Sequence, residues 1–295
     1  MARRGTLSWH EMKSGAEKST LSSIAGLLLR AQSRLAHLDN SRLDAELLLT
    51  YATQQTRSWL HTWPERSVDD DVVQLFDELV ERRASGVPLA YLRGQWDFWS
   101  LTLQVNNHTL VPRPETEHLV ELTLSHAADA SVIIDLGTGC GAIALALASE
   151  LRDKSLIATD VSAEALAVAK NNALALQSNV EFVQCDWLTG LSNKCSDIVV
   201  SNPPYIACGD EHLVGDGVAF EPALALVGGT DGLDAYRQII PQASRCLRPG
   251  GWLLLEHGHD QAAAVCELLS GAGYANIVTQ ADIARLDRVT TARRI

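Results

Sequence analysis

Val132-Ile133-Ile134-Asp135-Leu136-Gly137-Thr138-Gly139-Cys140-Gly141 is the stretch on which the fold turns. A short run of β-branched and apolar residues reads as a buried strand, and the glycines after it mark a tight handover to a helix beginning at Ala142. Without Cβ atoms such a bend lets the backbone approach a ligand closely. The loop also reads as G-x-G-x-x-A through Ala142, so taken alone it does not separate a dinucleotide from another adenosine cofactor. Downstream the pattern repeats: strands are predicted at 156–160, 180–184, 197–201 and 252–256, with a last strand at 288–293. Helices are predicted at 142–151, 163–176, 233–247 and 261–269. This alternation is the signature of an α/β sheet made largely of parallel strands with helices on both faces.

Upstream the reading changes character. Residues 1–19 are polar and aperiodic and are expected to form a flexible arm. Residues 20–88 read as a small helical domain: Leu21, Ile24, Leu28, Ala31 and Leu35 recur at helical spacing, followed by Leu43, Leu47, Leu48 and Tyr51, then Val72, Phe76 and Leu79. Ser41 and Ser67 are the expected N-caps. Across 89–111 the period becomes two, with Leu101, Leu103 and Val105 on one face, which predicts a β-hairpin linker. Residues 112–295 form the expected catalytic domain, reached through Pro112-Arg113-Pro114-Glu115-Thr116-Glu117, where Glu115 or Thr116 opens a helix.

The chain has 295 residues, 46% of them hydrophobic, and a formal net charge of −12. No apolar run reaches membrane-spanning length, and the basic N-terminus lacks the apolar core of a secretory signal, so a soluble, cytoplasmic protein is expected. The six cysteines contain no C-x-x-C pair, which predicts reduced thiols. His257 and His259 match no common zinc spacing, and no metal is expected. The acidity weighs against direct binding of nucleic acid, which gains affinity from clustered Lys and Arg.

The second informative stretch is Ser201-Asn202-Pro203-Pro204-Tyr205, at the end of the strand predicted at 197–201. Two prolines remove two N–H donors and favour extended backbone, so the carbonyls of Asn202 and Pro203 are free to face a ligand. Asn202 adds a side-chain acceptor and Tyr205 an aromatic face. Such a turn grips a planar nitrogen, or else merely ends a strand. In an open α/β sheet the carboxyl ends of the strands line one crevice, so this turn and the glycine loop are expected to face each other. Asp160 ends the next strand, where its carboxylate either accepts hydrogen bonds from ribose hydroxyls or caps the following helix. Trp187 lies on the same rim, either flanking an adenine or simply packing. Glu117 and Glu256 read as structural polar partners, with Glu117 able to orient the segment before its helix.

Together these motifs resemble the S-adenosylmethionine-dependent methyltransferases of Rossmann-like, seven-stranded fold, and among them the release factor glutamine N5-methyltransferases. The resemblance covers nearly the whole chain after the arm, through Pro88-Leu89-Ala90-Tyr91, Phe98-Trp99, Val111 to Glu117, the glycine loop, Asp160, Asp186-Trp187, Asn202 to Tyr205, Phe220-Glu221-Pro222 and Leu255-Glu256-His257-Gly258. It implies that Gly137, Thr138, Gly139, Cys140 and Gly141 cradle S-adenosylmethionine, converted to S-adenosylhomocysteine. Asp160 would hold the ribose, Trp187 border the adenine and Asn202 lie beside the methyl group. Asn202, Pro203, Pro204 and Tyr205 would receive a glutamine from the Gly-Gly-Gln loop of a peptide chain release factor, with Asn202, Pro203 and Tyr205 catalytic. The helical domain would dock that substrate or shield the sheet edge. Cys140 stands where many relatives have another small residue, and since its backbone N–H matters more than its side chain no functional loss is expected. Sister enzymes acting on a ribosomal protein have a segment resembling Pro-Arg-Ser-Pro, so Pro-Arg-Pro-Glu-Thr-Glu here favours the release factor. The competing activities are that ribosomal-protein reaction and N6-adenine methylation, in which a flipped base enters the same turn. A dinucleotide oxidoreductase leaves the diproline turn without a role, and a non-catalytic sensor of the cofactor leaves Asn202 without one.

Overall fold

The computed structural model describes residues 22–215 and 217–295, so the expected arm at 1–19 lies outside the described residues. The chain divides into two compact units, one ending at Arg93 and the other running from Gly94 to Ile295.

The described part of the first unit is helical: α1 (Ile24–Arg34), α2 (Ser41–Thr53), α3 (Arg57–Thr62), α4 (Asp70–Ala84) and α5 (Leu89–Arg93). Ile24, Leu27, Leu48, Leu49, Leu60 and Phe76 form its buried interior, and Arg83 is buried with Asp44, donating to it over 2.7 Å. The expected caps shift: Asn40 precedes α2, which starts at Ser41 itself. The N-cap of α4 is Asp69 rather than Ser67, because Ser67 is drawn into a bridge with Ser23. Ser23 in turn caps α1, its hydroxyl accepting from the Gly26 N–H.

The second unit opens with an antiparallel hairpin, β1 (Gln95–Phe98) and β2 (Leu101–Gln104), then α6 (Thr116–His126). There follow β3 (Val132–Leu136), α7 (Ala142–Glu150), β4 (Ser155–Asp160), α8 (Ala163–Ala175), β5 (Val180–Gln184) and β6 (Ser196–Ser201). After a loop carrying α9 (Ala223–Leu226) come α10 (Asp234–Cys246), β7 (Leu247–Glu256), α11 (Ala262–Gly271), β8 (Tyr274–Ala281) and β9 (Asp287–Arg294). The sheet has seven strands in the order β5-β4-β3-β6-β7-β9-β8. Its first five are parallel, while β9 runs antiparallel to β7 and β8 to β9. The strand β8 escaped the sequence reading because it is an edge strand with alternating exposure.

Consecutive residues of β3, Ile133 to Leu136, are all fully buried, as expected of a strand covered on both faces. On one face Ile134, Leu136, Val199, Leu253 and Leu255 join Tyr236, Ile239 and Ile240 of α10 and Val265 and Leu269 of α11. Strand order reverses between β3 and β6, whose carboxyl ends are paired at Leu136 and Ser201. The Ser201 hydroxyl donates to the Leu136 carbonyl over 2.9 Å, fastening the start of the glycine loop to the start of the diproline turn.

Candidate active site

The glycine loop is built around positive-φ backbone at Gly137, Gly139 and Gly141. It is held from beneath by Asp135, whose Oδ2 accepts from the Thr138 hydroxyl at 2.6 Å and the Ala144 N–H at 3.2 Å. Asp135 is fully buried and its Oδ1 has no partner, and burial pushes its carboxyl up to about 7. The Cys140 carbonyl accepts from Asn172 Nδ2 at 2.9 Å, and the same nitrogen reaches the Gln104 carbonyl at 3.0 Å. Nothing in the sequence marks Asn172: one of two adjacent asparagines in a helix carries no local signal of bonds to a distant strand and loop.

Gly137 and Gly139 line a cleft of about 680 Å³, with Asp160, Trp187, Asn202 and Pro204 on its other walls. This lies within the usual range for a small-molecule site. Thr138, Cys140 and Gly141 are not among the lining residues; they shape the loop from behind, and burial pushes the Cys140 thiol up to about 12. A Cβ at Gly139 would meet nothing within 4 Å, so this position opens onto free space. One at Gly137 would sit 3.4 Å from the Trp187 ring. Asp160 accepts from the Gly139 N–H through Oδ2 and from the Ser162 N–H through Oδ1, both at 2.9 Å. Burial raises its carboxyl above the ordinary aspartate value. It does not cap α8, a task performed by the Ser162 hydroxyl. Open glycine backbone, a carboxylate and an indole on one cleft fit an adenosine-type cofactor with a polar sugar.

Asn202 also borders a second cavity, of about 250 Å³, walled by Arg113, Pro203, Tyr205 and His212. Asn202, with Leu110 and Ala225, therefore lines both spaces. Burial pushes the Tyr205 phenol up to about 12, so its ring is neutral there. The turn is clamped from behind: Gln261 Nε2 donates to the Tyr205 carbonyl at 2.9 Å, and the Ile206 N–H donates to the Leu226 carbonyl at 2.9 Å. Gly228 packs so closely that a Cβ there would lie 2.6 Å from the Pro204 carbonyl oxygen. Nothing in the sequence marks Gly228 and Gly232, since a glycine needed for backbone packing looks like any loop glycine. Glu221 accepts from the Val111 N–H at 3.0 Å and from Arg113 at 2.5 Å, fixing the segment that leads into α6. Glu117 accepts from the Trp99 N–H at 2.7 Å, tying α6 to the hairpin turn.

Residues 26–94 match the PrmC N-terminal domain family and residues 115–216 the methyltransferase small domain family. The release factor glutamine methyltransferase of Pseudomonas aeruginosa is 48% identical over 264 residues, 89% of this chain and 96% of that protein. The chain belongs to the release factor glutamine methyltransferase family. Its relatives include proteins of that name from Xylella fastidiosa, 47% identical over 85% of this chain and 93% of the other, and Vibrio cholerae, 45% identical over 85% and 89%. Among solved structures the hMettl16 catalytic domain superposes with a TM-score of 0.53 at 18% identity, over 74% of this chain and 82% of that one. A methyltransferase from Pyrococcus furiosus gives 0.50 at 18% identity, over 65% and 88%. These likenesses establish the sheet as the methyltransferase fold that the family shares. The family's proteins are enzymes, and this chain carries both of the family's domain types. Among its described residues no helix is long and apolar enough to cross a membrane.

Proposed function

We propose that this chain transfers a methyl group from S-adenosylmethionine to the side-chain amide nitrogen (N5) of a glutamine in the Gly-Gly-Gln loop of peptide chain release factors, modulating translation termination. The observation that carries this reading is the position of Asn202, on the wall common to the glycine-loop cleft and the smaller cavity. The cofactor would occupy the larger space, with Gly137 and Gly139 against it, Asp160 at its ribose and Trp187 at its adenine. Thr138, Cys140 and Gly141 hold the loop in that shape. When bound, the cofactor supplies an electrophilic methyl group on a sulfonium.

A carboxamide nitrogen is a poor nucleophile because its lone pair is conjugated, an interaction whose full loss costs ~18–20 kcal/mol. The protein weakens this conjugation only in part. The Asn202 side-chain oxygen and the Pro203 carbonyl each accept one amide hydrogen, and Tyr205 stacks on the amide plane, so that the lone pair is aimed across Asn202 into the larger cleft. Orientation of this kind contributes up to about 7–11 kcal/mol. A neutral asparagine avoids burying a carboxylate beside the substrate. The helical unit would supply a further surface for the release factor, whose binding energy then serves to position the glutamine.

The deciding experiment incubates the purified protein with labelled S-adenosylmethionine and, in parallel, release factor, ribosomal protein and DNA, followed by mass spectrometry of the labelled product. Label on the glutamine of the release factor supports the reading. Label confined to ribosomal protein or to DNA overturns it.

A further inference from the structure

Arg113 reaches the smaller cavity with most of its hydrogen-bonding capacity unspent. Its Nη2 donates to Glu221 Oε1 at 2.5 Å, and among the described residues this is the one hydrogen bond that its guanidinium makes. The side chain is 36% exposed and lines the cavity together with Asn202, Pro203 and Tyr205. We infer that Arg113 is a substrate-binding residue: its guanidinium donates to the main-chain carbonyl oxygens of the two glycines that precede the glutamine, so that the site favours a glutamine within a chain over the free amino acid. The inference rests on the reading of this cavity as the glutamine site, given above.

The walls of this cavity have few donors to give. Pro203 has no N–H, and the N–H groups of Ile206, Gly215 and Val218 go to the carbonyls of Leu226, His212 and Gly215. Asn202 Nδ2 donates to the Thr116 hydroxyl oxygen at 3.0 Å. On the proposed reading the Asn202 oxygen and the Pro203 carbonyl take the two amide hydrogens, and Tyr205 stacks on the amide plane. A peptide also brings main-chain carbonyls, and a carbonyl taken out of water without a donor costs about as much as a lost hydrogen bond. His212 is 74% exposed and already bonded to Asp210 Oδ1 at 2.6 Å. A guanidinium has five N–H donors in a rigid fork, and Arg113 has committed one of them.

Neutralising Glu221 does not by itself account for this arrangement. A guanidinium that serves a carboxylate alone favours the bidentate pairing, with two parallel N–H···O bonds. Here the second oxygen of the buried Glu221 is taken, Oε2 accepting from the Val111 N–H at 3.0 Å, so Nε and Nη1 of Arg113 are left for a ligand. Because Glu221 anchors one end, the guanidinium is ordered before substrate arrives, and less conformational freedom is lost on binding. Glycine has no Cβ, so the carbonyls of a Gly-Gly segment are open to close approach by a planar fork.

The test measures kcat and KM for whole release factor, for a Gly-Gly-Gln peptide, and for two analogues of that peptide. In these the carbonyl of the first or the second glycine becomes a thioamide, a weaker acceptor that keeps every N–H. The unaltered chain is compared with Arg113→Ala and Arg113→Lys, with cofactor Kd and melting temperature as checks on folding. Arg113→Ala should lower kcat/KM for release factor and peptide about ten- to one-hundred-fold, mostly through KM, at an unchanged cofactor Kd. Arg113→Lys keeps a cation beside Glu221 but loses the fork, and should fall between parent and Arg113→Ala. At least one thioamide should lower kcat/KM several-fold in the unaltered chain and cost Arg113→Ala nothing further. An arginine that only braced its own segment would leave the thioamide penalty equal in variant and parent, and that result overturns the inference, as does the absence of any penalty in the unaltered chain. Parental kcat/KM toward release factor in Arg113→Ala also overturns it or, should that variant fail to bind cofactor, parental kcat/KM in Arg113→Lys. Failure of the unaltered chain to methylate release factor and peptide alike would instead overturn the proposed function, and the inference with it.

Discussion

Asp160 and Gly139 are joined across the mouth of the cleft, the Gly139 N–H donating to Asp160 Oδ2 at 2.9 Å, so the carboxylate that faces the cleft also sets the shape of the glycine loop. On the proposed reading, replacing Asp160 removes an acceptor for the cofactor and, with the Gly139 bond, a strut of the glycine loop at once. Hydrogen bonds to charged groups contribute roughly 1.5–3 kcal/mol, so Asp160→Ala should weaken S-adenosylmethionine binding about ten- to one-hundred-fold by calorimetry. An unchanged dissociation constant would contradict the ribose role.

Gly232 makes a different kind of contact. Its φ is +75°, and a Cβ there would collide with the Tyr205 carbonyl oxygen. Gly232→Ala should therefore displace the diproline turn while leaving the glycine loop intact. The expected result is a fall in kcat with little change in cofactor Kd, accompanied by a stability loss of about 1–3 kcal/mol. A variant with the parental kcat would show that the turn tolerates displacement.

Glu256 also makes a prediction about stability. Its carboxyl rises from 4.5 to about 7 on folding, so between those values the native state binds more protons than the unfolded chain. Stability from this group is consequently greatest at low pH and declines as pH rises through the window, by roughly 3 kcal/mol at full ionisation. Asp135, raised to about 7, acts in the same direction. His257 acts oppositely, because burial lowers its pKa and the unfolded chain takes up the extra proton below the ordinary histidine value. Both remain in Glu256→Gln, so the difference between variant and parent isolates Glu256. Thermal melts should show the variant more stable at pH 8, with the advantage shrinking toward pH 5. A constant offset across that range would contradict the raised carboxyl.

Glu117 is placed to stabilise the hairpin rather than the reaction. Its Oε1 accepts from the backbone N–H of Trp99, a residue held at a φ of +57°. Glu117→Ala leaves that donor unmatched, which should cost about 1–3 kcal/mol in denaturant unfolding. Turnover at low temperature should stay within about two-fold of the parent, a difference under 0.5 kcal/mol in the barrier. A selective loss of kcat without loss of stability would move Glu117 into the site.

Much of this protein was determined by local sequence. Glycines at 137, 139 and 141 after an apolar run set the strand-to-helix bend, and alternation of short apolar runs with helical periods set the parallel sheet. Consecutive prolines after Asn202 set the turn, because these preferences act over a few residues and survive any tertiary context. The sequence did not disclose β8, whose one-sided burial follows from its place at the sheet edge. Nor did it distinguish Gly137 and Gly139, which line the cleft, from Cys140 and Gly141, which lie behind them. Folding alone decided that Thr116 and Asn202, at the ends of two elements far apart in the chain, would meet, and that Glu256 would be buried at the end of β7. A hydrogen-bond partner and the dielectric around a carboxylate are properties of the surroundings, and they come into being only when the strands are aligned and water has been excluded.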